Sequence, residues 1–347
     1  MHRPVVLAVS ICIVSVAGPV AADGFTGPVF GLATAPNGDL LAADAAAGIV
    51  EFRDGEVHLN AALPGVSDVD AIGRGSWWAV TGAEDGGQDE DGGQGVYRVS
   101  RGKARMLANL FEFEVANDPA PPALGGGPES NPFDVHSLGG EHALVVDAAA
   151  NDLLRVDAEG YVEVVAVFPY EVVSSADLKA LLGCPPVPPP TGLCALPANL
   201  PAQPVPTSVA VGPDGWYYVG ELKGIPAPKN ESRGCRVAPW ASWAQCPDAD
   251  CELVFDGGFT SIIDMALGPD GLLYVVELDE NSWFAANVGP AAQLGGTINA
   301  CDVEAPACVE VATDMPLPTA ITFGKDGTLW STENGPVPGQ ATVVEVP

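Results

Sequence analysis

Positive charge is the scarcest feature of this 347-residue chain: 14 Lys and Arg stand against 45 Asp and Glu, a formal net charge of −31. Nucleic acids and anionic membrane surfaces both need basic patches, so both are expected to be poor partners. Histidine is scarce too, at 4 residues. The histidines are scattered and no Cys-x-x-Cys occurs, which removes the common zinc sites. Beyond the first residues no apolar run reaches membrane length. Helical periodicity is also missing, apart from one short stretch at Ser175–Leu182.

The beginning of the chain reads as an export signal. His2 and Arg3 give a basic start, Val5–Val16 is apolar with two serines, and Val20-Ala21-Ala22 supplies small residues at a cleavage site before Asp23. Residues 1–22 are therefore expected to be a signal peptide, and residues 23–347 a single secreted domain, periplasmic or extracellular. The excess of acid reads first as solubility. In an exported protein the close cysteine spacings predict the disulfides Cys184–Cys194, Cys246–Cys251 and Cys301–Cys308, with Cys235 left over. Spacing alone does not decide the pairing among Cys235, Cys246 and Cys251. A closed loop of about ten residues contributes about 2–3 kcal/mol in the chain-entropy description.

An internal repeat organises the rest. Pro36-Asn37-Gly38, Pro213-Asp214-Gly215, Pro269-Asp270-Gly271 and Lys325-Asp326-Gly327 each lie between two short apolar runs, the signature of a hairpin. Degenerate copies surround Gly73-Arg74-Gly75 and Gly139-Gly140-Glu141. Second halves of the unit recur at Gly95–Val99, Leu153–Asp157 and Val343–Val346. Six units of four strands predict an all-β, six-bladed β-propeller of four-stranded antiparallel blades, NHL-like and monomeric. The chain ends on a third strand, so residues 23–28 are the candidates for the missing outer strand of blade six.

Within this pattern the chain resembles the ScyD/ScyE family of bacterial NHL-like propellers, named after scytonemin biosynthesis. The resemblance rests on Asn131-Pro132, Val145-Val146-Asp147, Leu154–Asp157, Pro206–Val211, Gly220–Gly224 and Thr260–Asp264. It implies a propeller and export, and it brings little chemistry with it.

Topology places candidate residues. The four strands of a blade alternate in direction, so the Asp-Gly turns share one face, here called the turn face. The long insertions 82–94, 111–130, 171–205, 223–234 and 278–300 are assigned to the opposite, loop face, which insertions of this kind mark as a binding surface. Six residues after the turn glycine stand Asp44, Glu221, Glu277 and Glu333, with Asp147 equivalent and Thr81 in blade two. Near the start of the inner strands stand Asp68, Asp134 and Asp264, with Gly31, Ser208 and Ala320 at the matching positions. Across a hairpin Asp134 is expected beside Asp147 and Asp264 beside Glu277. Like charges so placed call for a raised pKa or a bound divalent cation such as Ca²⁺. The alternative is structural, each carboxylate accepting backbone N–H bonds in the next loop.

Other candidates carry less. Asp85, Asp89 and Asp91 with Gly92 lack the full ligand set of a calcium loop. His136 reads as a core histidine or a general base; the Glu and Asn ligand set of metal-dependent lactonase-type propellers is not traceable in this chain, Asn131 being the only asparagine at a matching height. Asn230-Glu231-Ser232 matches a glycosylation sequon. Trp240, Trp243 and Trp283 are expected in loop-face connections, as a ligand rim or as cover. Two functions follow. One is a binding scaffold whose acidic loop face takes a protein, peptide or polymer. The other is a divalent-metal-dependent hydrolase or lyase at the loop-face end of the central tunnel, with Asp68, Asp134 and Asp264 as ligands.

Overall fold

A computed structural model describes residues 24–53, 56–73, 75–82, 93–120, 127–305 and 307–347. The export signal and the Asp85, Asp89 and Asp91 segment lie outside the described residues. Sheets form in chain order. Blade one is Val29–Thr34, Leu40–Asp44, Gly48–Arg53 and Glu56–Ala62; blade two is Val66–Gly73, Ser76–Thr81, Gly95–Ser100 and Lys103–Asn109. Blade three is Pro132–Ser137, His142–Asp147, Asp152–Asp157 and Val162–Val167; blade four is Pro206–Val211, Tyr217–Glu221, Ser232–Val237 and Cys251–Phe259. Blade five is Ile262–Leu267, Leu273–Glu277, Gly296–Asp302 and Ala307–Met315, and blade six has Ile321–Phe323, Leu329–Glu333 and Thr342–Val346. The protein is a six-bladed β-propeller.

The Asp-Gly turns make the hairpins for a local reason. Asp214, Asp270 and Asp326 each turn Oδ1 back to accept the N–H two residues on, at 3.1 Å in each case. Asn37 does the same for Asp39 at 3.2 Å. The following Gly38, Gly215, Gly271 and Gly327 take φ of +100°, +80°, +83° and +86°, a region that costs an L residue and suits glycine. Second strands such as Leu40–Asp44 and Tyr217–Glu221 are buried at every residue because both faces meet neighbouring blades. The outer strand Ala307–Met315 is almost wholly exposed. Apolar clusters accordingly fill the seams, for example Leu41, Ile49, Val69 and Trp77 between blades one and two.

The ring closes through backbone and side-chain hydrogen bonds between blades six and one. Val29 N–H donates to Gly335 O at 2.8 Å, Thr34 Oγ1 to Phe323 O at 2.7 Å, and Thr319 Oγ1 to Val29 O at 2.5 Å. The described residues 24–28 form no strand on blade six. Instead Thr26 and Gly27 donate their N–H groups to Asp44 at 2.6 and 2.8 Å, tying this segment to blade one. The three disulfides are Cys184–Cys194, Cys246–Cys251 and Cys301–Cys308, and Cys235 is a buried free thiol. Among the described residues no helix is long and apolar enough to cross a membrane.

Two features depart from the sequence pattern. A helix, α1 (Leu110–Asn117), occupies the connection from blade two to blade three. The connection 238–250 joins the third and fourth strands of blade four; it leaves from the turn face and then runs along the outer edge of blade three, where Trp243 N–H donates to Val164 O at 3.1 Å and Ala244–Gln245 pairs parallel to Ala166 and Val167, so neither Trp240 nor Trp243 is in a loop-face connection. They are 68% and 50% exposed, and Trp240 meets Trp216, beside an Asp-Gly turn, edge to face at 5.7 Å. Trp283 is buried on the loop side and donates Nε1–H to Lys223 O at 2.9 Å, so it covers blades and forms no rim.

Candidate functional site

The inner strands surround a tunnel, and its two ends differ. At the loop end it is filled. Phe30 and Phe133 meet edge to face at 5.5 Å and join an apolar cluster with Leu222, Ile263, Leu278 and Leu317. Below this plug a cavity of about 460 Å³ runs toward the turn face, past Val211, Leu267 and Phe323. Asp68, Asp70, Asp134, His136 and Asp264 line it. The structure thus places the three predicted aspartates in the wall of one tunnel, their carboxylate oxygens not all within 4.8 Å of one another, and the space they face opens opposite to the expected end.

Each aspartate is held by the next blade. Asp68 Oδ2 accepts Val135 N–H at 2.9 Å, Asp134 Oδ2 accepts Val209 N–H at 2.6 Å, and Asp264 Oδ2 accepts Ile321 N–H at 2.7 Å. Asp70 repeats the pattern one pleat further, accepting Ser137 N–H at 2.7 Å. An inner strand has a sheet partner on one side only, so these carboxylates satisfy N–H groups that would otherwise face the tunnel. The bonds seat the side chains rigidly and account for one oxygen of each. Asp264 and Asp70 use the second oxygen on Met265 and Ala71 N–H, both at 2.7 Å.

The electrostatics are strained. Asp68 and Asp134 lie within hydrogen-bonding reach of each other. Burial, then the Asp134 charge, holds the Asp68 carboxyl well above its ordinary range. Burial and then Asp134 do the same to Asp264. Asp134 and Asp70 are also raised by burial, opposed by hydrogen bonds and by His136. His136 Nδ1 stands 4.0 Å from Asp70 Oδ2. Close carboxyls with no cation among the described groups beyond one imidazole are resolved by protons or by a bound divalent ion. The donors are all oxygen, which suits a hard ion such as Ca²⁺.

The second set of carboxylates does not join them. Asp134 pairs with Val146, and a register shift sets Asp147 opposite Pro132; Asp264 pairs with Val276, and Glu277 stands opposite Ile262. The expected Asp134–Asp147 and Asp264–Glu277 neighbours are therefore parted by an irregularity in each hairpin. Asp147 accepts Ser130 Oγ–H and Asn131 N–H, both at 2.6 Å, and the N–H groups of Ala149 and Ala150. Glu277 accepts Thr260 N–H and, at 2.8 Å, Asn299 Nδ2–H. These residues fasten loops. Glu221 instead meets the fully buried Lys223 at 2.6 Å, and Lys223 also reaches Glu171 at 2.7 Å. Asp70 was missed in the sequence; its signal was the spacing of two residues from Asp68, which keeps both on one face of the strand.

No protein-family model matches the chain, and no curated protein matches it. Solved structures do. A gluconolactonase from Xanthomonas campestris superposes with a TM-score of 0.56 at 12% identity, over 94% of this chain and 88% of that one. The calcium-binding protein regucalcin from Agrobacterium tumefaciens gives 0.55 at 14% identity, over 94% and 95%. A structural-genomics protein of unknown function from Bacteroides thetaiotaomicron gives 0.56 at 13%, over 95% and 71%. At such identities the likeness is one of fold, that of the six-bladed β-propeller.

Proposed function

We propose that the protein is an exported propeller that binds a small oxygen-rich ligand through a divalent cation, Ca²⁺ by preference, held by Asp68, Asp134 and Asp264. The observation that carries this reading is the cavity of about 460 Å³, closed at one end, with those three carboxylates in its wall. Its volume is that of a small-molecule site. The ligand enters from the turn face, and its hydroxyls or carboxylate complete the shell of the ion. Binding at the face opposite the long loops replaces the expected loop-face contact. Export is supported by the N-terminal pattern and by three disulfides. The motif residues Asn131-Pro132 and Thr260–Asp264 resemble those of the ScyD/ScyE propellers.

A second reading has its own observation. His136 shares the cavity wall with the carboxylates, its Nδ1 4.0 Å from Asp70 Oδ2, and is the imidazole there that can serve as a proton acceptor. An ion polarising a carbonyl next to such a base is the equipment of a hydrolase or lyase. Fold neighbours named for lactone hydrolysis and for calcium binding agree with either reading, although a shared fold carries no chemistry. The test is elemental analysis of the purified protein with thermal melts before and after EDTA. Bound Ca²⁺ and a fall in melting temperature are expected. Neither metal nor shift returns the protein to a plain scaffold, and turnover of a lactone or ester with the ion present selects the second reading.

A further inference from the structure

Where blade three meets blade four, a free thiol stands beside a disulfide. Cys235, in the third strand of blade four, is 1% exposed, and the sulfurs of Cys235, Cys246 and Cys251 all lie within 4.8 Å of one another. Cys246 and Cys251 are the bonded pair. All three belong to one apolar cluster with Phe168, Val219 and Val237. Metals take thiolates as ligands, and two of these sulfurs are bonded to each other. The chemistry open to the group is therefore thiol–disulfide exchange.

The staple joins two blades. Ala244–Gln245 pairs parallel to Ala166 and Val167 at the outer edge of blade three, and Cys246 N–H donates to Val167 O at 3.0 Å. Cys251 begins the outer strand of blade four. The Cys246–Cys251 bond thus fastens the strip lent to blade three to the outer strand of blade four.

The strand ladder decides which sulfur Cys235 can take. Cys235 pairs with Leu253 and Val237 with Cys251, so Cys235 and Cys251 are diagonal neighbours on one face of two hydrogen-bonded strands. Diagonal neighbours stand about 7–8 Å apart, whereas a disulfide spans about 4.4–6.8 Å between Cα atoms. Cys246 lies in the connection, outside that ladder, and its backbone is free to follow a new bond. We propose that the Cys235 thiolate attacks Cys246 Sγ and moves the staple. A Cys235–Cys246 bond forms as the Cys246–Cys251 bond breaks, and Cys251 leaves as a thiolate that takes up the proton Cys235 gave away. The number of disulfides is unchanged, and no oxidant or reductant is consumed. The exchange unfastens the start of the outer strand of blade four and ties the connection to the third strand instead.

The resting thiol is held back. Burial first, then the Glu221 charge, holds the Cys235 thiol well above its ordinary range; Glu171 adds to this, and Lys223 and Arg233 oppose it. The attacking species is the thiolate, so exchange belongs to openings of the connection that let water reach Cys235.

The test uses the whole mature protein, with disulfides mapped by mass spectrometry after acid quench. The wild type is incubated with iodoacetamide and no added thiol, in urea well below its unfolding transition. Alkylation is expected to shift from Cys235 to Cys251, with a Cys235–Cys246 cross-link in place of Cys246–Cys251. Two variants are folded with oxidised glutathione as electron acceptor. Cys251→Ala is expected to lose both remaining thiols to a Cys235–Cys246 bond, and Cys246→Ala to keep Cys235 and Cys251 free. Alkylation confined to Cys235, with Cys246–Cys251 intact, overturns the proposal, and does so even if a variant fails to fold. A Cys235–Cys251 bond in Cys246→Ala, or a folded Cys251→Ala with both thiols free, overturns it as well.

Discussion

Replacing Asp134 by Asn separates a cation site from a purely structural carboxylate. In the metal-free protein Asp134 accepts Val209 N–H at 2.6 Å and adds to the charge burden on Asp68. An asparagine amide oxygen keeps the Val209 bond, and its NH₂ group can donate to Asp68. The metal-free variant is therefore expected to match the wild type or exceed it by about 1 kcal/mol, the net worth of one satisfied hydrogen bond. With cation the order reverses. At free Ca²⁺ about a hundred times Kd, a single site contributes about 2.7 kcal/mol. A variant weakened a hundredfold by losing one charged ligand retains only about 0.4 kcal/mol. The assay is urea unfolding in EDTA and in Ca²⁺. Asp134→Ala is the control: it leaves Val209 N–H without its acceptor and costs about 1–3 kcal/mol in both buffers. If Asp134→Asn gains as much from Ca²⁺ as its parent, Asp134 binds no cation and the aspartates serve only to join the blades.

Further outcomes follow from the same coordinates. Gly31→Ala sets a Cβ 1.9 Å from Asp68 Oδ1 and 2.8 Å from its Cα, so overpacking of about 1–3 kcal/mol is expected in urea melts; wild-type stability contradicts the placement of Asp68. Lys223→Met strips the counter-ion from the buried Glu221 and is expected to cost about 3–5 kcal/mol, most of it recovered in the double variant Glu221→Gln/Lys223→Met. A lone Lys223→Met that unfolds like the wild type shows that this pair is not buried as described. Glu277 is pushed up to about 7, first by burial, so its folded value lies above its unfolded one. Its contribution is complete below about pH 4.3 and is lost as pH rises through about 7, a change on the order of 3 kcal/mol. Glu277→Gln is expected to flatten that part of the pH–stability curve measured in EDTA, and an unchanged slope counts against the assignment.

The fold could be read from the chain because its turns are chemically explicit. Asp214, Asp270 and Asp326 each make the same side-chain bond before a left-handed glycine, and that unit recurs at a period only a propeller explains. Cys184–Cys194 and Cys301–Cys308 followed from spacing, whereas the pairing of Cys246 with Cys251 rather than Cys235 is given by the structure. What escaped depended on contacts between blades. The register slip at Val146/Asp147 leaves no mark in composition, yet it parts Asp134 from Asp147. The plug that closes the loop end comes from Phe30, Phe133 and Leu317, residues far apart in sequence. The helix α1 was hidden because Phe111-Glu112-Phe113-Glu114 alternates like a strand, and Asn109, an N-cap residue, was the signal available. Trp240 and Trp243 were assigned to a loop-face connection, whereas connection 238–250 follows a third strand, leaves from the turn face and runs along the outer edge of blade three.

Anomalous diffraction from crystals grown with Mn²⁺ or a lanthanide in place of Ca²⁺ bears most directly on the tunnel. An anomalous peak coordinated by carboxylate oxygens of Asp68, Asp134 and Asp264, in the cavity that opens between the turns, is the expected result. A tunnel without a peak, in crystals soaked well above the affinity found in solution, contradicts it.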